Sequence, residues 1–188
     1  MTSRLQRALV AGGFACILSL TLACRHKAVT NSVPATAPTP AQLASMEPDQ
    51  VNIAGWDKAW TNLLNIAEQS FTASLPKLLG VEVALVVGNP GEAEDELTLT
   101  IVDANNKELA VVTKQVQAAN SERVMFLMPT DGVELSPGQT YRLRLTGGAT
   151  FGWKYVVGGY ENGEATFNGK PLLPGARSTF LFRTFGEK

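Results

Sequence analysis

Histidine and cysteine are nearly absent. The 188 residues contain one histidine and two cysteines, and all three lie within the first 26 positions. Everything after His26 therefore has no imidazole and no thiol, so neither a Ser-His-Asp triad nor a Cys-His pair can be assembled there. The usual zinc donors are missing for the same reason, and His26 has no second ligand beside it. No glycine-rich phosphate loop opening a helix is present. Charge of one sign is scarce too: 16 basic against 17 acidic side chains give a net charge of −1. Without a clustered basic stripe there is nothing to neutralise a run of phosphates, which excludes nucleic acid as a partner. At 45% apolar and 18% charged residues, the chain can build a packed core.

The N-terminus has the layout of an export signal. Arg4 and Arg7 precede an uncharged, largely apolar run from Ala8 to Ala23, too short to span a bilayer comfortably. The run ends Leu20-Thr21-Leu22-Ala23-Cys24, which resembles the lipobox of bacterial lipoproteins, whose cysteine is lipidated and becomes the new first residue. That resemblance implies a signal peptide over 1–23, a lipid anchor at Cys24 and a membrane as partner. Cysteine use fits: cleavage removes Cys16, and lipidation consumes the thiol left behind. Ordinary secretion and an uncleaved anchor helix remain the alternatives. Cleavage takes Arg4 and Arg7 from the 16 basic side chains and none of the 17 acidic ones, leaving a net −3. Such a domain stands off an anionic membrane rather than lying on it. Arg25 after the cysteine, where aspartate would mark inner-membrane retention, resembles outer-membrane sorting in enteric-type bacteria.

Residues 24–50 read as a tether, with Pro34, Pro38 and Pro40 among Ala and Thr and little to bury. A folded domain is then expected over 51–188. Its opening stretch is ambiguous. Trp56, Trp60, Leu63 and Leu64 share one face of a short helix, yet would equally suit irregular chain covering the end of a sandwich. From Asn65 the pattern is β. Leu97-Thr98-Leu99-Thr100-Ile101 alternates with period two, and Tyr141, Leu143 and Leu145 alternate with Arg142, Arg144 and Thr146. Eight or nine short strands follow one another, separated by Gly, Pro and Asn turns and without helical intervals. The fold class is all-β, an antiparallel sandwich with room for one short N-terminal helix.

Several stretches carry a further likeness: Gln69-Ser70-Phe71-Thr72, Leu135-Ser136-Pro137-Gly138-Gln139-Thr140-Tyr141, Trp153 with Tyr155, Gly158-Gly159-Tyr160, and Phe182-Arg183-Thr184-Phe185-Gly186. Together they resemble the jelly-roll sandwich modules of bacterial extracellular proteins, many of them carbohydrate-binding or adhesive accessories. The resemblance implies a jelly-roll-like fold, and the missing catalytic and zinc constellations lead to the expectation of a non-catalytic module without a cofactor.

Two surface features invite a function. Glu92, Glu94, Asp95 and Glu96 form an acidic loop that offers oxygen ligands but lacks the spacing of a calcium-binding loop, so a solvated loop is the plainer reading. Trp153, Tyr155 and Tyr160 form an aromatic group on which a sugar ring could stack, with Asn162, Asn168 and Arg142 available for its hydroxyls. The same rings would also suit the sandwich core. The expected function is an envelope lipoprotein that binds a glycan or another envelope polymer; the alternative is an assembly lipoprotein acting through a protein partner. Exposed rings favour the first, and buried rings with bare apolar surface elsewhere favour the second.

Overall fold

The computed structural model describes residues 37–53, 59–129 and 131–188. The export signal, Cys24 and Trp56 lie outside them. In chain order the elements are helix α1 (Pro40–Ala44), then β1 (Gln50–Asn52), β2 (Trp60–Asn62), β3 (Ala67–Thr72), β4 (Lys77–Val87), β5 (Glu94–Val102) and β6 (Glu108–Gln117). After a 3-10 turn at Ala118–Asn120 come β7 (Arg123–Leu127), β8 (Val133–Glu134), β9 (Thr140–Thr146) and β10 (Phe151–Val157). The series ends with β11 (Ala165–Phe167), β12 (Lys170–Pro171), β13 (Ser178–Phe180) and β14 (Phe182–Glu187). Two antiparallel sheets result. The larger runs β1-β14-β4-β10-β13, with β2 on β10 and both β7 and β8 on β4; the smaller runs β12-β11-β3-β9-β5-β6. The domain is an all-β sandwich with one short helix.

Period-two alternation decides which residues meet between the sheets. Leu97, Leu99 and Ile101 of β5 and Leu143 and Leu145 of β9 face inward against Val81, Val83 and Leu85 of β4. Their neighbours face out. On the outer side of the smaller sheet Arg144 Nε lies 2.9 Å from a carboxylate oxygen of Glu68, and Thr98 meets Thr113 at 3.0 Å. One polar side chain crosses the core. Gln69 of β3 is fully enclosed and accepts the Phe180 backbone N–H at 2.7 Å, joining the two sheets. Burying that amide is tolerable because its oxygen and its nitrogen, bonded to Ser70 O at 2.8 Å, both find partners.

Turn chemistry follows the sequence. Phe167 pairs with Lys170 across Asn168 and Gly169, both at positive φ, which is the two-residue hairpin loop that Asn-Gly favours. Tyr141, at the start of β9, accepts the Ser136 N–H at 2.8 Å and so pins the preceding Ser-Pro-Gly-Gln turn. At the far edge of the smaller sheet Pro171 removes one of the two backbone donors of β12, which blunts that edge.

The N-terminal side differs from expectation in two places. First, packed chain begins well before residue 51. Thr39 caps α1 through a reciprocal capping box with Gln42, Pro40 occupies the first turn, and Leu43 is fully buried against Leu79 and Phe185. The tether reading therefore ends near Thr39. A five-residue helix is too short to leave a periodic signal, and it holds because it caps itself and docks. Second, the helical spacing from Trp60 to Leu64 does not produce a helix at Trp60–Asn62, which instead pairs with Lys154, Trp153 and Gly152 of β10. The Trp60 ring lies across β10 so closely that a Cβ at Gly152 would stand 2.1 Å from it, so the strand must carry glycine there.

Candidate functional site

The aromatic group is spent inside the domain. Trp153 is fully buried, stacks on Phe180 with centroids 4.3 Å apart, and donates its indole N–H to Leu181 O at 2.9 Å. Tyr155 is half-buried and meets Phe180 edge-on. Tyr160 is 8% exposed and edge-on to Phe182. Of the two readings open for these rings, the core position is the one the structure has for Trp153 and Tyr160, and Tyr155 packs against that core while remaining partly exposed. The cause is register: Trp153 and Tyr155 share the inward side of β10, opposite Leu85 of β4 and Phe180 of β13.

Tyr160 has a structural task instead. Its hydroxyl donates to Gln50 Oε1 at 2.7 Å and accepts the Thr72 N–H at 3.3 Å, tying β1 to β3 across the end of the sandwich. Burial pushes its phenol above the ordinary value of 10.0, the charge of Asp49 adds to that, and the Thr72 N–H pulls the other way. Folded protein therefore keeps this proton at a pH where unfolded chain has lost it, so this contribution to stability is full below about pH 10 and falls as pH rises above it. Urea melts from pH 9 to 11 should show a steeper alkaline loss in wild type than in Tyr160→Phe; equal slopes would contradict it.

The remaining expected contacts are dispersed. Arg142 sits on the outer side of the smaller sheet, where its guanidinium reaches Asp103 O at 3.3 Å and the Asn106 side chain. Asn168 forms the β11–β12 turn and accepts the Ile66 N–H. Asn162 is exposed, and its carbonyl faces the Thr72 hydroxyl at 3.5 Å, which places it close to Tyr160. The acidic run is not a loop. Glu94, Asp95 and Glu96 open β5 opposite Gln117, Val116 and Gln115 of β6, which leaves Glu92 before the strand, and the side chains of the run are occupied. Glu92 accepts the Thr150 hydroxyl at 2.6 Å, Asp95 accepts the Glu96 N–H at 2.8 Å, and Glu94 is held by Gln117. Among the described residues no group of three acidic, histidine or cysteine side chains is placed to hold a metal ion.

A recess does exist, built largely from residues the sequence did not single out; Ser70 alone belongs to a stretch quoted above. It is an open groove of about 570 Å³ whose walls include Ser70, Glu164, Leu173, Ala176 and Arg177, with Pro171 along one side. Other recesses, of about 410 and 240 Å³, lie beside Asp49 and Lys114. Ser70 and Glu164 fix one wall by reciprocal bonds: Ser70 N donates to Glu164 O at 3.0 Å and Glu164 N donates to Ser70 Oγ at 2.8 Å. Between them Gly163 passes so near Ser70 that a Cβ would sit 1.9 Å from its carbonyl oxygen, leaving glycine as the one residue that fits. Arg177 fixes the other wall. Its Nη2 points at the carbonyl oxygens of Tyr160 at 3.1 Å, Gly163 at 3.4 Å and Glu161. The signal that could have found this groove is the density of turn residues from Gly158 to Gly175, since loops on a rigid sandwich are where binding residues gather.

Comparison with known proteins found no family model that matches the chain and no matching curated protein. Among the described residues no helix is long and apolar enough to cross a membrane.

Proposed function

We propose that this protein is a non-catalytic module of the cell envelope, lipid-anchored through Cys24, that binds a glycan or another envelope polymer in the groove beside Arg177. The groove is the observation that carries this reading. Its 570 Å³ falls within the size range of ligand sites, and it combines an apolar side with polar groups at its rim. Ala176, small and exposed, offers a direct test because a large side chain there fills the groove without touching the core. Ala176→Trp should lose co-sedimentation with purified envelope polymer while keeping the wild-type melting temperature. Retention of binding by that variant would remove the groove from consideration.

A second reading has its own observation. The ten-residue edge strand β6 carries Val111 at 53% exposure, and an exposed edge of that length can be extended by a strand from a protein partner. Binding that survives Ala176→Trp but is lost in Val111→Pro would favour it. The anchor is tested separately. Cys24→Ala should abolish incorporation of labelled fatty acid and block signal processing, and unchanged processing would point to an uncleaved helix.

A further inference from the structure

We infer that the groove takes a neutral, hydroxyl-rich ring and discriminates against anionic polymers, an inference that rests on the groove reading above. The argument begins with the guanidinium of Arg177. A forked grip on a carboxylate or phosphate uses two parallel N–H groups along one edge of the guanidinium plane, either Nη1 with Nη2 or Nε with Nη2. Both edges contain Nη2. In this domain Nη2 is committed to the backbone carbonyls of Tyr160, Glu161 and Gly163. An anion taking either two-pronged edge must therefore compete with these carbonyl oxygens for Nη2. Nε and Nη1 have no partner among the described residues; Nε can give one hydrogen bond and Nη1 two, and without Nη2 they form no parallel pair, which suits separate hydroxyl oxygens.

The opposite rim points the same way. Glu164 is held through its backbone, while its exposed carboxylate has no partner among the described residues. An ionised carboxylate only accepts hydrogen bonds, so its ligand must donate them, and it repels a second negative charge. A hydroxyl is the group that meets both rims, since it donates to Glu164 and accepts from Arg177. Pro171, Leu173 and Ala176 line the same groove and supply apolar surface on which the C–H face of a saturated ring can rest. A cation is disfavoured by the positive charge of Arg177, which lines the same groove.

Calorimetric titration of the full chain in a sugar-free detergent tests this with defined probes: hexasaccharides of glucose, galactose, mannose and N-acetylglucosamine, and a hexasaccharide of galacturonate. At least one neutral probe should bind, with affinity indifferent to salt, and galacturonate should bind at least about tenfold more weakly, since removing one hydrogen bond to a charged group has an effect of that order. Glu164→Ala should weaken the neutral probe by about the same factor at unchanged melting temperature. Glu164→Gln, which keeps an acceptor but loses the charge, should lose less and narrow the gap to galacturonate. Tighter, salt-sensitive binding of galacturonate would overturn the neutral class, and the groove would still stand if Ala176→Trp abolished it. Failure of all five probes would also overturn the neutral class, and envelope co-sedimentation of Ala176→Trp would then judge the groove on its own.

Discussion

Replacing Trp153 by alanine is expected to cost about 3–5 kcal/mol, the range for deleting a fully enclosed large aromatic side chain. Three losses combine. The indole leaves a void against Phe180, its stacking contact at 4.3 Å disappears, and Leu181 O loses the N–H at 2.9 Å. Leu181 matters because its backbone is a junction: its N–H donates to Lys154 O and its carbonyl accepts from Ala84 N. That second bond also limits the damage, since the carbonyl keeps one partner. Trp153→Phe, which preserves a ring against Phe180, should therefore cost far less than the alanine variant. For a domain of this size the alanine change corresponds to a fall in melting temperature of about 6–20 °C. Differential scanning calorimetry of the two variants decides it. An alanine variant that melts with wild type would mean the ring is a surface platform after all.

The same residue shows how far the sequence can be read. Alternation along β10 says that Trp153 and Tyr155 share a face, and it says nothing about which side of the sheet that face is on. That depends on which strands lie alongside, here β4, β2 and β13, drawn from positions as far apart as Trp60 and Phe180. The longer strands were legible: Leu97–Ile101 falls within β5 and the alternation from Tyr141 to Leu145 within β9. The eight or nine strands expected fall short of the fourteen described, because two- and three-residue strands such as β1, β2, β8 and β12 have too few positions to alternate. Period-two patterning and turn residues are local signals, and the sandwich is built from them.

The groove was not legible, and for a different physical reason. Ser70 and Glu164 are 94 positions apart and meet because β11 pairs with β3. Arg177 acquires its role from three carbonyl oxygens, and a backbone carbonyl has no side-chain signature to read. An exposed arginine in a loop normally passes as a solvated charge. Its commitment through Nη2 is what the proposed selectivity of its remaining donors rests on.

Leu43 carries the other large expected effect, because it turns a supposed tether into part of the fold. Its side chain lies over Gly80 on the outer side of the larger sheet, among Leu79, Phe185, Met46, Met125 and Leu127. Leu43→Ala should cost about 2–5 kcal/mol, the range for truncating a buried leucine. It should also release α1, since a five-residue helix has little stability of its own. The uncovered patch would then be apolar surface on a sheet face, so increased binding of a hydrophobic dye should accompany the loss. Approached from below, the same contact gives an independent test. A Cβ at Gly80 would stand 2.5 Å from Leu43 Cδ1, so Gly80→Ala must push Leu43 outward, at about 1–3 kcal/mol for overpacking. Once Leu43 is alanine that clash is gone, leaving Phe126 O at 3.3 Å and Met125 Sδ at 3.4 Å, so Gly80→Ala should cost clearly less than it does in wild type. The two changes should thus be strongly non-additive in a double-mutant cycle read by urea denaturation. Strict additivity, or a Leu43→Ala variant as stable as wild type, would mean that α1 rests on the sheet without holding it, and that the folded domain begins at β1.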